Sequence, residues 1–462
     1  MREIGSYKLY YFLGIGGIGM SALARYFHHF GKKVFGYDKT ETALTKNLQS
    51  EGIHCHYEEN TEWLQSLLTA YSKEEILIVY TPAVPKEHKE YLWLQNENYT
   101  ILKRSLVLGE ITRQYKTIAI AGTHGKTTTT TMVAHLLKQN HINCFAFMGG
   151  ISANYQTNLL LGNSNDPNAF VVVEADEYDR SFLTLHPFLT TITSCDADHL
   201  DIYGDPRYLK ESYELFASKI HPQGRLVVNK NVDNELRLPD NKIVYSLNLK
   251  TDYFAENVRF IENEVHYDVK SPVENLTGVC LGITGSHNVE NSLAAIAIAQ
   301  QIGLTGAQIK GALRSFKGVK RRFDIRIKTS QLVYIDDYAH HPEELRATIS
   351  SAKRIYPGKK LTGIFQPHLF SRTRDFADEF AKSLSLLDEV ILLEIYPARE
   401  KPIEGINAAM LLNKIDCSSK RLLSKSELFE FLKINKPEVL LTMGAGDIDT
   451  LVEPIEELLK KY

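Results

Sequence analysis

The sequence predicts an α/β protein of three domains, each built on a mainly parallel sheet. Three observations predict it. Short apolar runs alternate with amphipathic stretches from residue 8 to about 113, and the theme returns in the last third of the chain, as strands crossed by helices require. Two glycine-rich segments, Gly14-Ile-Gly16-Gly17-Ile18-Gly19 and Gly122-Thr123-His124-Gly125-Lys126, each follow an apolar run and open a helical pattern. The length of 462 residues matches about three domains of ordinary size.

In chain order, strands are expected at 9–13, 34–37 and 76–80, with helices at 18–30, 42–50 and 105–113. This first domain, 1–113, reads as Rossmann-like. A central P-loop domain, 114–319, is expected to hold strands at 169–173, 188–193 and 225–229 and a helix near 206–219. Between about 241 and 281, polar and apolar residues alternate around Asn and Asp turns, which predicts antiparallel hairpins added to the parallel core. Helices at 288–302 and 305–315 close the domain. The third domain, 320–462, is again Rossmann-like, with strands at 332–335, 361–365, 389–394 and 439–442 and a last helix at 448–459.

Composition narrows the class. Hydrophobic residues make up 44% and charged residues 24% of the chain, as in ordinary soluble proteins. A net charge of −3 without a basic run gives no footprint for nucleic acid. Cys55, Cys144, Cys195, Cys280 and Cys417 are scattered with no Cys-x-x-Cys pair, so reduced thiols in the cytoplasm are expected. No apolar run reaches membrane-spanning length, and no membrane insertion is expected.

The second glycine segment carries the most chemistry. Glycines let backbone N–H groups approach a polyphosphate at a helix start, Lys126 adds a mobile charge, and the Thr127 hydroxyl suits a phosphate-bound Mg²⁺. Position 120 is Ile, so only the second half of the general G-x-x-x-x-G-K-[ST] pattern is present. The first segment, with Asp38 after the next strand, fits a diphosphate over a helix N-terminus; NAD and a UDP-sugar both satisfy it. Two acidic clusters complete the set. Glu174-Ala-Asp176-Glu177-Tyr178-Asp179 follows a valine-rich strand, with Glu174 the first choice for holding Mg²⁺. Asp196, Asp198, His199 and Asp201 follow the next strand and offer more oxygen ligands and one imidazole.

Together these motifs resemble the Mur ligase family. The match is carried by Gly14 to Ser21, Gly122 to Thr129, Glu174 to Glu177, Asp198-His199-Leu-Asp-Ile-Tyr203, His287-Asn288-Val-Glu-Asn291, Asp336-Asp-Tyr-Ala-His-His-Pro342, Phe365-Gln-Pro-His368 and Tyr396-Pro-Ala-Arg-Glu-Lys-Pro402. It runs over nearly the whole chain. The resemblance implies a UDP-sugar domain, an ATP domain and an amino-acid domain. The implied reaction phosphorylates the carboxylate of UDP-N-acetylmuramate with ATP and Mg²⁺, and L-alanine then attacks the acyl phosphate. This is a cytoplasmic step of peptidoglycan precursor synthesis, by a monomer or weak homodimer.

By the same resemblance, Gly14, Gly16, Gly17, Ile18, Gly19, Met20, Ser21, Asp38 and His124 face the UDP substrate. Gly122, Thr123, His124, Gly125, Lys126, Thr127, Thr128, Asn288, Asn291, Arg322, Asp337 and His340 bind ATP. Thr127, Glu174 and His199 hold metal; Lys126, Glu174, His199 and Arg322 are catalytic, with Arg322 reaching the γ-phosphate. Tyr338, His368 and Arg372 form the alanine pocket. The chain departs from the family pattern at Leu369 and Phe370, where a cation is expected.

Other readings stay open on the residues alone. The Glu174 to Asp179 stretch also resembles the related ligase that joins a recycled murein tripeptide to UDP-N-acetylmuramate. Folylpolyglutamate synthetases share the chemistry without a UDP domain. An NAD(P)-dependent oxidoreductase accounts for the first glycine loop but leaves Lys126, Glu174 and His199 without a role. A protein that hydrolyses ATP to switch conformation needs no amino acid.

Overall fold

The computed structural model describes residues 3–196, 200–261, 264–398 and 400–461. Three sheets are present among the described residues, and the chain divides into two compact units. One unit comprises Met1–Arg259, Val265–Ile283 and Asn288–Lys317, and the other comprises Phe260–Glu264, Thr284–His287 and Gly318–Tyr462.

The first sheet of the larger unit is all parallel, in the order His54–His56, Lys33–Tyr37, Leu9–Leu13, Ile76–Tyr80, Ile101–Lys103. The strand order reverses at Leu9–Leu13, the switch point at which such sheets hold ligands, and the first glycine loop follows its C-terminal end. Leu9 to Leu13 are all buried, as a strand covered on both faces requires. The helix Ile18–His29 lies on this sheet through Tyr10 and Phe27, whose rings stack at 3.9 Å. Its other side meets the second sheet, where Tyr26 lies 5.5 Å from the rings of both Phe145 and Phe147. The two sheets therefore share one apolar core.

The second sheet has ten strands, in the order Leu276–Leu281, Glu264–Lys270, Tyr253–Ile261, Lys242–Ser246, Arg225–Asn229, Pro187–Ile192, Lys116–Ala121, Phe170–Glu174, Cys144–Phe147, Leu159–Leu160. Its centre is parallel, with Lys116–Ala121 between Pro187–Ile192 and Phe170–Glu174. The hairpin expectation for 241–281 holds in part. Glu264–Lys270 and Leu276–Leu281 are antiparallel, whereas Lys242–Ser246 runs parallel to both of its neighbours and prolongs the central sheet. Burial alternates along Glu264–Lys270 but not along Lys242–Ser246, and alternation by itself does not give strand direction.

The smaller unit holds a six-stranded sheet in the order Asp324–Lys328, Val333–Asp337, Val439–Met443, Leu361–Phe365, Glu389–Leu392, Lys420–Leu422. Only the edge strand Asp324–Lys328 is antiparallel. Apolar clusters cover both faces, one under the helix Pro342–Ile355 and one under Asp449–Leu459. The three-domain α/β class read from the sequence is the class observed. No helix among the described residues is long and apolar enough to cross a membrane, and no disulfide joins the cysteines.

The phosphate-loop helix Lys126–Gln139 is pinned by a buried histidine. His135 Nε2 lies 3.0 Å from the Ala312 carbonyl and 2.9 Å from Ser315 Oγ, while Nδ1 meets the Tyr155 hydroxyl at 2.9 Å. Burial lowers its pKa from 6.5 to about 4, against a smaller opposing effect of the Ala312 carbonyl. The fold thus favours the neutral ring, so its contribution to stability is complete above pH 6.5 and is lost as pH falls towards 4. Up to about 3 kcal/mol should disappear over that window. Denaturant titrations at pH 7 and pH 4.5 should show a smaller acid loss for His135→Gln than for the wild type; equal losses would exclude the effect.

Candidate functional site

Two glycine loops of the larger unit open on different chemistry. In the first, the N–H groups of Gly14 and Ile15 both donate to the Tyr37 carbonyl, at 2.8 and 2.9 Å. Gly16 N–H donates to Asp38 Oδ2 at 2.8 Å. The acid after the second strand is thus turned into the loop, where it fixes the turn. Gly14 has φ +85°, and a Cβ there would lie 2.5 Å from Thr81 Cγ2; only glycine fits. Met20 and Ser21 are buried on the helix that follows, and Asn158 Nδ2 donates to both the Ile18 carbonyl and Ser21 Oγ. Gly17, Ile18 and Gly19 border a cavity of about 260 Å³ that reaches Glu174 and Asp176.

The second loop leaves the strand Lys116–Ala121 through Gly122 (φ +124°) and enters its helix through Gly125 (φ +82°). Thr123 N–H donates to the Ser194 carbonyl at 3.1 Å and His124 N–H to Ser194 Oγ at 2.7 Å, which hold the loop in shape. Gly125 is the N-cap residue and provides no side-chain cap, so the helix start keeps its anion-binding character. Thr127 and Thr128 are buried in the first turn.

Lys126 Nζ donates to the carbonyls of Gly122 at 2.7 Å and Thr123 at 3.2 Å, and to Glu177 Oε1 at 2.7 Å. Burial alone would lower the pKa of this ammonium group. The charges of Glu177, Glu174 and Asp176 outweigh that effect and hold it above its ordinary value. The lysine is therefore fully charged and surrounded by acids.

Glu174 ends the strand Phe170–Glu174, level with Ile120 on the neighbouring strand, and its Oε2 accepts from Gly149 N–H at 3.1 Å. His124 Nε2 lies 3.8 Å from Asp196 Oδ2. Asp198 and His199 lie outside the described residues. Asn288 and Asn291 are buried on the helix Ser286–Gln301. Asn291 packs against the phosphate loop itself, since a Cβ on Gly125 would lie 2.4 Å from its Oδ1.

The remaining predicted residues lie in the smaller unit. Arg322 approaches Glu344 Oε1 at 3.7 Å and lies over the Tyr338 ring at 5.1 Å. Asp337 is buried, and its two oxygens accept from the N–H groups of Phe323 and Ala339, at 2.7 and 2.8 Å. Burial raises its pKa to about 6, opposed by the Arg322 charge. His340 Nδ1 lies 2.9 Å from the Tyr338 carbonyl. His368 stacks on Tyr396 at 5.8 Å. Leu369, the departure from the family pattern, has φ +72° and precedes the helix Phe370–Asp375, which carries Arg372.

Sequence reasoning passed over two residues that touch this machinery. Glu177, partner of Lys126, was visible only as one acid among four. Arg104, which borders the cavity, had a signal of its own: Lys103-Arg104 begins the helix Arg104–Arg113, where the helix dipole disfavours cations.

A glycine loop with a charged lysine facing strand-end acids, on a mainly parallel sheet, defines the class of nucleotide-binding α/β enzymes. Three family models match in order: "Mur ligase family, catalytic domain" over residues 9–116, "Mur ligase middle domain" over 120–299, and "Mur ligase, glutamate ligase domain" over 321–446. The chain belongs to the Mur ligase family. It is 48% identical over 461 residues to the UDP-N-acetylmuramate–L-alanine ligase of Parabacteroides distasonis, covering 99% of each chain. The ligase of the same name from Phocaeicola vulgatus is also 48% identical, over 99% of this chain and 100% of that one. Among solved structures, the UDP-N-acetylmuramate-alanine ligase of Thermotoga maritima has a TM-score of 0.80 at 29% identity, covering 98% of this chain and 99% of that one. A murein peptide ligase from Psychrobacter arcticus, at 21% identity and a TM-score of 0.70 over 98% of this chain and 99% of that one, shares the fold.

A Cβ on Gly149 would lie 2.1 Å from Glu174 Oε2. Gly149→Ala should therefore displace the carboxylate and weaken Mg²⁺ affinity, so that half-maximal turnover needs about 10- to 100-fold more Mg²⁺. A Mg²⁺ titration of turnover that matches the wild type would show that Glu174 does not govern the metal.

Proposed function

We propose that this protein is an ATP-dependent ligase that joins L-alanine to the carboxylate of UDP-N-acetylmuramate through an acyl phosphate, in the cytoplasm. The observation that carries the reading is end-to-end similarity, at 48% identity, to ligases named for that reaction. The geometry supports it. One glycine loop is fixed by its own backbone and Asp38 and carries no lysine, which suits a nucleotide that is held without reacting. The other loop carries Lys126 among three acids, which suits a phosphoryl group that leaves.

Phosphorylating a carboxylate brings two anions together, so the protein's task is alignment and charge neutralisation. ATP phosphates lie over the start of the helix Lys126–Gln139, and Lys126 exchanges Glu177 for the β/γ-phosphates. The Thr127 hydroxyl and Glu174 carboxylate are hard oxygen donors close to that loop and fit Mg²⁺, with His199 as a further ligand. When bound, Mg²⁺ neutralises charge on the phosphoryl oxygens. Asn288, Asn291, Arg322, Asp337 and His340 are the further ATP residues of this reading. Tyr338, His368 and Arg372 hold the alanine, with the arginine or an imidazolium on its carboxylate. The protein acts as a monomer or weak homodimer on small-molecule substrates.

Phosphate release by the purified protein with Mg²⁺-ATP should require both UDP-N-acetylmuramate and L-alanine. Release without an amino acid would point to an ATP-driven switch, and release with the murein tripeptide in place of alanine to the recycling ligase. Lys126→Ala should lower turnover by about two orders of magnitude or more, because the lost charge acts on the transferring phosphoryl group. Near-normal turnover in that variant would remove Lys126 from the mechanism.

A further inference from the structure

Arg104 has no role in the reading above, yet it borders a cavity beside the first glycine loop. That cavity, of about 260 Å³, is lined by Gly17, Ile18 and Gly19 of the loop and also by Glu174 and Asp176. Its guanidinium lies against that loop, since a Cβ on Gly19 would come 2.7 Å from Arg104 Nη1. Its protein counter-ion is Asp176 Oδ2, at 3.5 Å, with the two side chains 22% and 41% exposed. A pair so long and so open contributes little on its own and is readily exchanged for a better anion. A cation at a helix N-terminus is also disfavoured by the dipole, so Arg104 sits where the fold alone would not place it.

Resting on the proposed function, we infer that Arg104 is an anion-binding residue for the UDP-sugar substrate. It exchanges Asp176 for an anionic group of that substrate lying in the cavity beside Gly19. Two groups of one ligand share this chemistry, the diphosphate and the lactyl carboxylate. The exchange also reaches the ATP loop, because Asp176 is one of the three acids whose charge acts on Lys126. Its neighbour Glu177 bonds that lysine directly. Arg104 thus reports occupancy of the UDP-sugar cavity to the acids that surround the phosphate loop.

Binding of UDP-N-acetylmuramate, UDP-N-acetylglucosamine and UDP, measured by calorimetry without ATP, tests this on full-length wild type, Arg104→Met, Arg104→Lys and Asp176→Asn. Arg104→Met should bind UDP-N-acetylmuramate about tenfold or more weakly, with part of the loss restored in Arg104→Lys. Asp176→Asn, which removes the competitor, should bind it as tightly as wild type or up to about fivefold more tightly. Equal losses with UDP-N-acetylglucosamine assign the contact to the diphosphate; a loss confined to UDP-N-acetylmuramate assigns it to the carboxylate. The inference is overturned if Arg104→Met binds all three ligands within about twofold of wild type. It is equally overturned if Asp176→Asn weakens binding as much as Arg104→Met, since the pair would then act only as structure. Failure of the wild type to bind UDP-N-acetylmuramate would instead overturn the proposed function.

Discussion

The contact on which the rest of the larger unit depends is the buried ion pair between Lys126 and Glu177, at 2.7 Å. Glu177 is fully buried, and a charge removed from water without a partner costs several kcal/mol. The pair exists because the strands Lys116–Ala121 and Phe170–Glu174 run side by side in fixed register, Ile120 opposite Glu174. The glycine turn begins two residues after Ile120, and the acidic turn follows Glu174 directly. A slip of one strand by one residue would turn its side chains to the other face and leave a lysine and a glutamate buried apart. The chemistry of the loop and the register of the central sheet therefore constrain each other.

That pair is one of three on a single short turn. Lys103 pairs with Asp179, Arg104 with Asp176 and Lys126 with Glu177. The turn is strained: Asp179 and Arg180 have φ +53° and +52°, values that non-glycine residues adopt at a cost. Two of its three partners come from the helix start at Lys103 and Arg104, and those cations are in turn placed against the dipole of the helix Arg104–Arg113. Of the three acids only Asp179 has that conformation, and it pairs with Lys103.

Much of this was legible in the sequence because it is local. A glycine with positive φ between an apolar strand and a helix is written into a few adjacent residues, as at Gly14, Gly122 and Gly125, and the long buried strands are written into runs such as Val171-Val172-Val173. Short elements were not legible. His54–His56, Ile101–Lys103 and Lys420–Leu422 have three residues each, too few for any periodicity to show, and they form only because a longer neighbour offers a free edge. Direction was hidden as well: Lys242–Ser246 prolongs the parallel sheet while Glu264–Lys270 and Leu276–Leu281 pair antiparallel, and only pairing partners distinguish the two. Glu177 and Arg104 were missed for a related reason. Their importance lies in partners 51 and 72 residues away, and one-dimensional spacing carries no trace of those encounters.

The two glycine loops, alike in sequence, are made different by what lies behind them. Behind the first is a carbonyl and a carboxylate: Tyr37 takes two N–H groups and Asp38 a third, so the loop segment itself carries no cation. Behind the second is a set of side chains. Ser194 holds the loop, Asn291 packs on Gly125, and the lysine reaches across to Glu177. A loop tied to backbone can bind a diphosphate but has no charge to move when a bond breaks. A loop whose lysine rests on an exchangeable carboxylate has one. The same strand–glycine–helix geometry thus yields a holding site and a reacting site, and the difference comes from the one ammonium group and the acids that keep it charged.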